Sequence, residues 1–234
     1  MNELNVVAQK LIRFLLKYWV ALLTITGITE GGVLLANHYW NPFVQSLNLS
    51  FLGSLAGIVQ GVLGAFMISL LTPIGKAVTA YLIEVEHPTP LAGLSVYGNT
   101  LSKIPTLLGV SFLWFLGTVI GLCLLIVPGL VIFIGGQFAA QAVVVENLGV
   151  MAAFKRSWRL VKQEITDVVL LFIAIEVGQG ILSGILGALI TGVIPSFNPF
   201  LLDWLLSTIV ATFVYVPLAV MYLERRNVAE FDAR

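Results

Sequence analysis

The chain has 234 residues, of which 59% are hydrophobic and 10% charged, with a formal net charge of zero and a mean hydropathy of +1.00. Soluble domains carry about 25% charged residues, so this composition excludes a water-soluble domain and leaves a lipid bilayer as the solvent, while the balanced charge gives no basic excess for nucleic acid. The one cysteine, Cys123, excludes a disulfide within the chain, and His38 and His87 have no partner at metal-ligand spacing, so no metal or other cofactor is expected.

From the start of the chain, Asn2 to Tyr18 has neither the uninterrupted apolar core nor the small-residue cleavage site of a signal peptide, so this segment is expected to be retained. Leu4, Val7, Leu11, Phe14 and Leu15 alternate at helical spacing with Lys10, Arg13 and Lys17, which predicts an amphipathic helix running into a first apolar span at 18–37. A helix needs about 20 mainly apolar residues to cross the hydrocarbon and satisfies its own backbone groups in doing so. Further runs of that length stand at 51–72, 105–125, 128–147, 165–190 and 202–223. The expected fold is therefore all-α: a polytopic membrane protein of six transmembrane helices, with two or three interfacial amphipathic helices on the cytoplasmic side, forming one integral membrane domain over 1–234.

The connections follow from the breakers. Asn41-Pro42 with Gln45, Asn48 and Ser50 separates the first two spans, and Pro195, Asn198 and Pro199 separate the last two. The run from Thr106 to Val145 has no charge and would be about 60 Å long as one straight helix, so it must fold back, and Pro128-Gly129 is read as the turn. Lys10, Arg13 and Lys17 precede the first span, and Lys76 and Lys103 fall between the second and third. Lys155, Arg156, Arg159 and Lys162 fall between the fourth and fifth, and Arg225, Arg226 and Arg234 follow the sixth. The gaps on the other side contain no lysine or arginine, so the positive-inside bias puts both termini in the cytoplasm. Tyr39, Trp40, Phe197, Phe200 and Trp204 near the outer ends, with Tyr18, Trp19, Trp158 and Tyr222 near the inner ends, fit either aromatic belts or chance scatter.

Two further surface helices are expected. Thr89-Pro90 reads as an N-cap and first helical position, leading through Leu91, Leu94, Tyr97, Leu101 and Ile104 to Pro105. Met151, Phe154, Trp158, Val161 and Ile165 recur at three- and four-residue spacing, with Lys155, Arg156, Arg159 and Lys162 on the other face, as in a basic helix lying in the interface. Three units follow from this pattern, at 2–72, 89–147 and 148–223, each a surface helix and a transmembrane hairpin; convergence on a membrane-surface helix reads the pattern equally well. The basic face suits anionic lipid, at about 1 kcal/mol per lysine or arginine near the surface, or a membrane or cytoplasmic protein partner.

Three stretches carry a family resemblance: Ile126-Val-Pro-Gly-Leu130, then Val143-Val-Val-Glu146-Asn-Leu-Gly149, then Ala153-Phe-Lys-Arg156-Ser157-Trp-Arg-Leu160-Val161-Lys162. Residues 122–165 resemble the membrane domain fused to some bacterial glycerophosphodiester phosphodiesterases, together with related stand-alone six-helix proteins, and a looser likeness runs from about 70 to 225. The resemblance implies a prokaryotic cytoplasmic membrane and no catalysis, because the phosphodiesterase activity of the fused proteins belongs to a separate soluble domain.

Glu30 and Glu176 fall about 16 to 18 Å into their spans from the inner ends, near the bilayer midplane, where a carboxyl costs about 2.5 to 3.5 kcal/mol on insertion scales. Gln60 and Gln137 reach a similar depth; Gln141 lies one turn after Gln137, and Gln179 three residues after Glu176. These six residues predict a central polar cluster facing the bundle interior, either a substrate or proton site or a set of interhelical hydrogen bonds. Glu146 is expected to meet Arg156 or Arg159 at the interface. Gly27 and Gly31, Gly53, Gly57 and Gly61, Gly117 and Gly121, and Gly180 and Gly184 fit the small-xxx-small spacing of close helix packing. No nucleophile elbow, zinc-protease or phosphate-loop pattern occurs, so an enzyme is not expected. The function read from the sequence is a non-enzymatic membrane component supporting envelope function through lipid or partner contact. A small-solute or proton-coupled transporter is the alternative.

Overall fold

The computed structural model describes residues 2–85, 96, 98–163, 165–193 and 198–231; inside the helices, the side chains of 2–11, 13–16, 50, 51, 54, 176, 191, 193 and 229–231 lie outside the description. Eight α-helices account for nearly all of it: α1 (Asn2–Ser46), α2 (Ala56–Val85), α3 (Ile104–Leu124), α4 (Ile126–Gly135), α5 (Ala139–Val145), α6 (Val150–Gln163), α7 (Ile165–Val193) and α8 (Pro199–Phe231). No strand occurs among the described residues. Among the described residues, six stretches are long and apolar enough to cross a membrane: Lys17–Ser46, Ala56–Val85, Ile104–Leu124, Ile126–Val145, Ile165–Ile190 and Pro199–Val228. They coincide with the six runs in the sequence, and α4 and α5 together form the fourth.

Three boundaries differ from the sequence reading, each for a local reason. Helix α1 passes through Asn41-Pro42 and ends at Ser46, since a proline near a helix end removes one hydrogen bond that other groups replace. The bend into α2 is made instead by a short 3-10 turn, Ser50–Leu55, in which Gly53 has φ +55, a left-handed conformation open to glycine. Helix α2 runs past Pro73 and Lys76 to Val85, so Lys76, expected in a cytoplasmic gap, is buried inside the bundle at 8% exposure. Finally, α3 and α4 are joined by the single extended residue Leu125 (φ −158, ψ 141). Pro128-Gly129 is not the turn but part of the first turn of α4, where a proline has no hydrogen bond to lose. A Cβ on Gly121 would stand 2.7 Å from the Gly129 Cα, so glycine at these positions lets the two helices close up beside the turn.

Helix α2 is central, packing against α1, α3, α5 and α8, whereas α7 rests chiefly on α8. The buried core joins Ala21, Leu22 and Ile25 of α1, Ala77 to Ile83 of α2, Phe138 to Val144 around α5, Leu160 and Val161 of α6, and Val216 to Leu223 of α8. Tyr18 and Tyr222 belong to this core at 1% and 0% exposure and so form no part of an aromatic belt. The expected helix from Thr89-Pro90 to Ile104 lies outside the described residues at 86–95 and 97, whereas Val96 and 98–101 are helical, with Val96 and Thr100 buried.

Candidate functional site

The fourth span is interrupted. Helix α4 ends at Gly135 and α5 starts at Ala139, and between them the hydrogen-bond pattern tightens: Gln137 N donates to Ile134 O at 3.2 Å and Ala139 N to Gly136 O at 3.1 Å. Two glycines mark the place because there is no room for a side chain. A Cβ on Gly135 would overlap the Trp158 ring of α6, and one on Gly136 would overlap the Trp114 ring of α3. Ser157 of α6 closes the gap with one hydroxyl, donating to Gly135 O at 2.6 Å and accepting from Phe138 N at 3.1 Å. Trp114 Nε1 donates to Phe133 O at 3.0 Å. Buried backbone groups without partners are costly, so neighbouring helices stabilise the break.

Lys76 approaches the same break from α2. Its Nζ donates to Gln137 Oε1 at 2.9 Å and stands 5.6 Å from the centre of a Trp114 ring, a cation–π distance. Between α2, α3 and the break lies a cavity of about 10 Å³, lined in part by Lys76, Ser111, Trp114, Gly136 and Gln137. Gln137 Nε2 and Ser111 Oγ are buried there without a hydrogen-bond partner among the described residues.

The polar residues singled out from the sequence occupy different places. Gln137 and Gln141 are at the break, and Gln141, fully buried, donates to the Gln137 and Phe138 carbonyls at 3.0 and 3.3 Å. Glu30 sits on α1, where Tyr215 of α8 donates to its Oε1 at 2.6 Å; a Cβ on Gly75 would crowd that tyrosine at 2.6 Å, so the pair lies beside α2 one residue from Lys76. Gln179 lines a separate cavity of about 480 Å³ between α7 and α8, with Val210 and Phe213. Gln60 is partly buried in the fifth position of α2. The side chain of Glu176 lies outside the description. Lys76, expected between the second and third spans, instead lies within α2 and reaches one of these amides, that of Gln137.

At the basic end of the bundle, Glu146 accepts from Arg156 Nε at 2.9 and 3.0 Å and from Tyr222 OH at 2.5 Å. The Arg156 partner was expected, the tyrosine was not. Asn147 at φ 56 follows and turns the chain from α5 toward α6. Helix α6 presents three sectors instead of two. Ala153, Ser157, Leu160 and Val161 are buried against the bundle, Met151 and Trp158 are exposed, and Lys155, Arg159 and Lys162 are exposed on the remaining side. The face against the bundle differs from the apolar face of Met151, Phe154, Trp158, Val161 and Ile165 because it includes Ala153 and Ser157, which are small and not strongly apolar. Between α4 and α6 runs an open groove of about 520 Å³, walled by Ile132, Gly135, Gly136, Phe154 and Trp158, with Lys155 and Arg159 on its lining.

Fold and site together define a polytopic helical membrane protein whose fourth span is broken beside a buried lysine. The chain matches the family described as a domain of unknown function, DUF7847, over residues 41–224, and belongs to that family. No curated protein and no solved structure gives a match. The family description makes no link to glycerophosphodiester phosphodiesterases, so that resemblance rests on the motif residues of 122–165 alone.

Proposed function

We propose that this protein is a non-enzymatic component of a prokaryotic cytoplasmic membrane, with both termini in the cytoplasm, and that it works by holding anionic phospholipid against α6. The observation that carries the reading is the groove between α4 and α6, apolar along Ile132, Phe154 and Trp158 and bordered by Lys155 and Arg159. Its walls suit an acyl chain, and two cations beside them suit a phosphate; each contributes about 1 kcal/mol near an anionic surface. Arg156 is committed to Glu146, so the lipid-facing charges are Lys155, Arg159 and Lys162. The motif residues of 122–165, which resemble the membrane domain fused to some bacterial glycerophosphodiester phosphodiesterases, are in keeping with that location.

The test is native mass spectrometry of the protein extracted with its own lipids, comparing wild type with the Lys155→Gln, Arg159→Gln double variant. Retention of phosphatidylglycerol is expected to fall about tenfold or more, as two lost surface charges imply, while zwitterionic lipid stays unchanged. Equal retention of anionic lipid by both proteins would overturn the reading. A transporter is the second reading, favoured by the broken span beside Lys76 and Gln137, since interrupted helices line many transport sites. In the same spectra, a discrete small molecule that disappears from an intact Glu30→Gln, Glu176→Gln variant would put transport first.

A further inference from the structure

The connection between α3 and α4 differs from the others at its end of the bundle. Where α1 gives way to α2, Asn41, Gln45, Ser46 and Asn48 are exposed, and the start of α8 exposes Asn198 and Asp203. Those places offer polar groups to water. Between Thr118 and Gln137 no polar or charged side chain occurs apart from the Cys123 thiol, and at the turn itself Leu124, Leu125, Ile126 and Val127 are 72%, 68%, 69% and 69% exposed. Helix α3 has 21 residues, against 30 in α2 and 29 in α7, so the hairpin is about 31 Å tall, close to the hydrocarbon thickness of about 30 Å. Its base is set among charges: Lys103, just before α3, donates from Nζ to Val144 O at 2.9 Å, and Glu146 beyond α5 pairs with Arg156. A hairpin of that height starting there reaches the far edge of the hydrocarbon without passing it. The backbone of the turn suits the same place. Of the four N–H groups that a helix start leaves open, Leu125 gives its own to Gly121 O at 2.9 Å and Pro128 has none, which halves the donors left for water to satisfy.

We propose that the α3–α4 hairpin is re-entrant: it enters and leaves the bilayer at the end that carries the lysines and arginines, and its turn is covered by acyl chains of the opposite leaflet instead of emerging into water. The apolar tip continues the lipid-facing surface formed by exposed Phe112, Leu116 and Ile120 of α3 and Leu130 of α4, so one solvent covers both. This surface is separate from the groove of α6, which Lys155 and Arg159 place at the charged end.

Cys123, the one cysteine of the chain and exposed at the tip, serves as the probe. The purified full chain carries a nitroxide on Cys123 in liposomes of dioleoyl phosphatidylcholine and phosphatidylglycerol. Relaxation by oxygen, which concentrates among acyl chains, is compared with relaxation by a water-soluble nickel complex. The same label on the Cys123→Ala, Gln45→Cys variant reports a turn that does emerge. The expected result is strong oxygen relaxation with loss of nickel relaxation at position 123, and full nickel relaxation at position 45. Nickel relaxation at 123 equal to that at 45 would put the turn in water and overturn the proposal. Relaxation by neither agent would mean that protein covers the tip, a partner or a second copy, and would overturn it as well. Because the label is itself apolar, unlabelled Cys123 is also challenged with a membrane-impermeant sulfonated maleimide. Its labelling is expected to be lost in liposomes and restored in denaturing detergent, whereas Gln45→Cys reacts in both; reaction in liposomes at the Gln45→Cys rate would contradict a buried turn.

Discussion

The two ends of the bundle are packed to different degrees. At the end that carries the lysines and arginines, helices are tied by side chains reaching across to backbone: Ser157 to Gly135, Lys103 Nζ to Val144 O at 2.9 Å, and Arg225 to Leu160 O at 2.9 Å. The buried stretches 77–83, 138–144 and 216–223 all lie at this end. At the other end such ties join α1 to its neighbours, Trp40 Nε1 to Leu63 O at 2.7 Å and Trp204 Nε1 to Gly27 O at 2.8 Å, but Gly57 and Gly61 of α2 and Gly180 and Gly184 of α7 have nothing within 4 Å of an added Cβ, and Ile58, Ile181, Ile185 and Leu189 are exposed. Lipid tails are as apolar as leucine, so hydrophobicity alone does not drive helices together in a bilayer. Close packing occurs where small residues and interhelical hydrogen bonds coincide, and glycine spacing without such bonds leaves the helix face open.

Substitutions at the two ends should separate accordingly. The largest effect is expected for Ser157→Ala, which leaves Gly135 O and Phe138 N buried without partners and should cost about 2–3 kcal/mol, read as a lower midpoint in reversible denaturant unfolding in bicelles. Gly135→Ala comes next at about 2 kcal/mol, because the new methyl overlaps the Trp158 ring and must displace it; tryptophan fluorescence recorded with the unfolding curve should shift at the same time. The smallest effect is expected for Gly180→Ala with Gly184→Ala, within about 0.5 kcal/mol in the same assay. A loss at α7 as large as that at the break would mean that the open face is packed in the membrane, and the contrast between the ends would fail.

Much of the fold was legible because hydropathy reports what a bilayer demands: all six spans were visible as apolar runs, and Glu146 with Arg156 as an interfacial pair. The boundaries were less legible. Lys76 was read as loop because a charge within a span is expensive; the apolar run Ala77 to Ile83 beyond it was the signal that α2 continues. The turn was placed at Pro128-Gly129 by the habits of water-soluble loops, whereas here one extended leucine suffices and the glycine serves close packing. At the candidate site, Gln137 was found from its depth alone. Ser111, Trp114 and Tyr215 were missed, because a serine or an aromatic residue in an apolar run has no pattern until helix packing shows what it touches. Of the six residues expected in a central cluster, Glu30, Gln60, Gln137, Gln141, Glu176 and Gln179, the described neighbours are Tyr215 for Glu30, Lys76 for Gln137, and the wall between α7 and α8 for Gln179.

The Ser157 hydroxyl touches both sides of the interrupted span at once, so α6 cannot lift away without unpairing Gly135 and Phe138 together. Seating of α6 and closure of the break are then a single equilibrium, and Gln137 lies between the two backbone groups that it controls. Reciprocity follows from thermodynamics: any contact that favours the seated α6 also favours the closed break, and whatever favours the closed break strengthens that contact by the same factor. One oxygen atom thereby couples the position of a surface helix to the shape of a span inside the bundle.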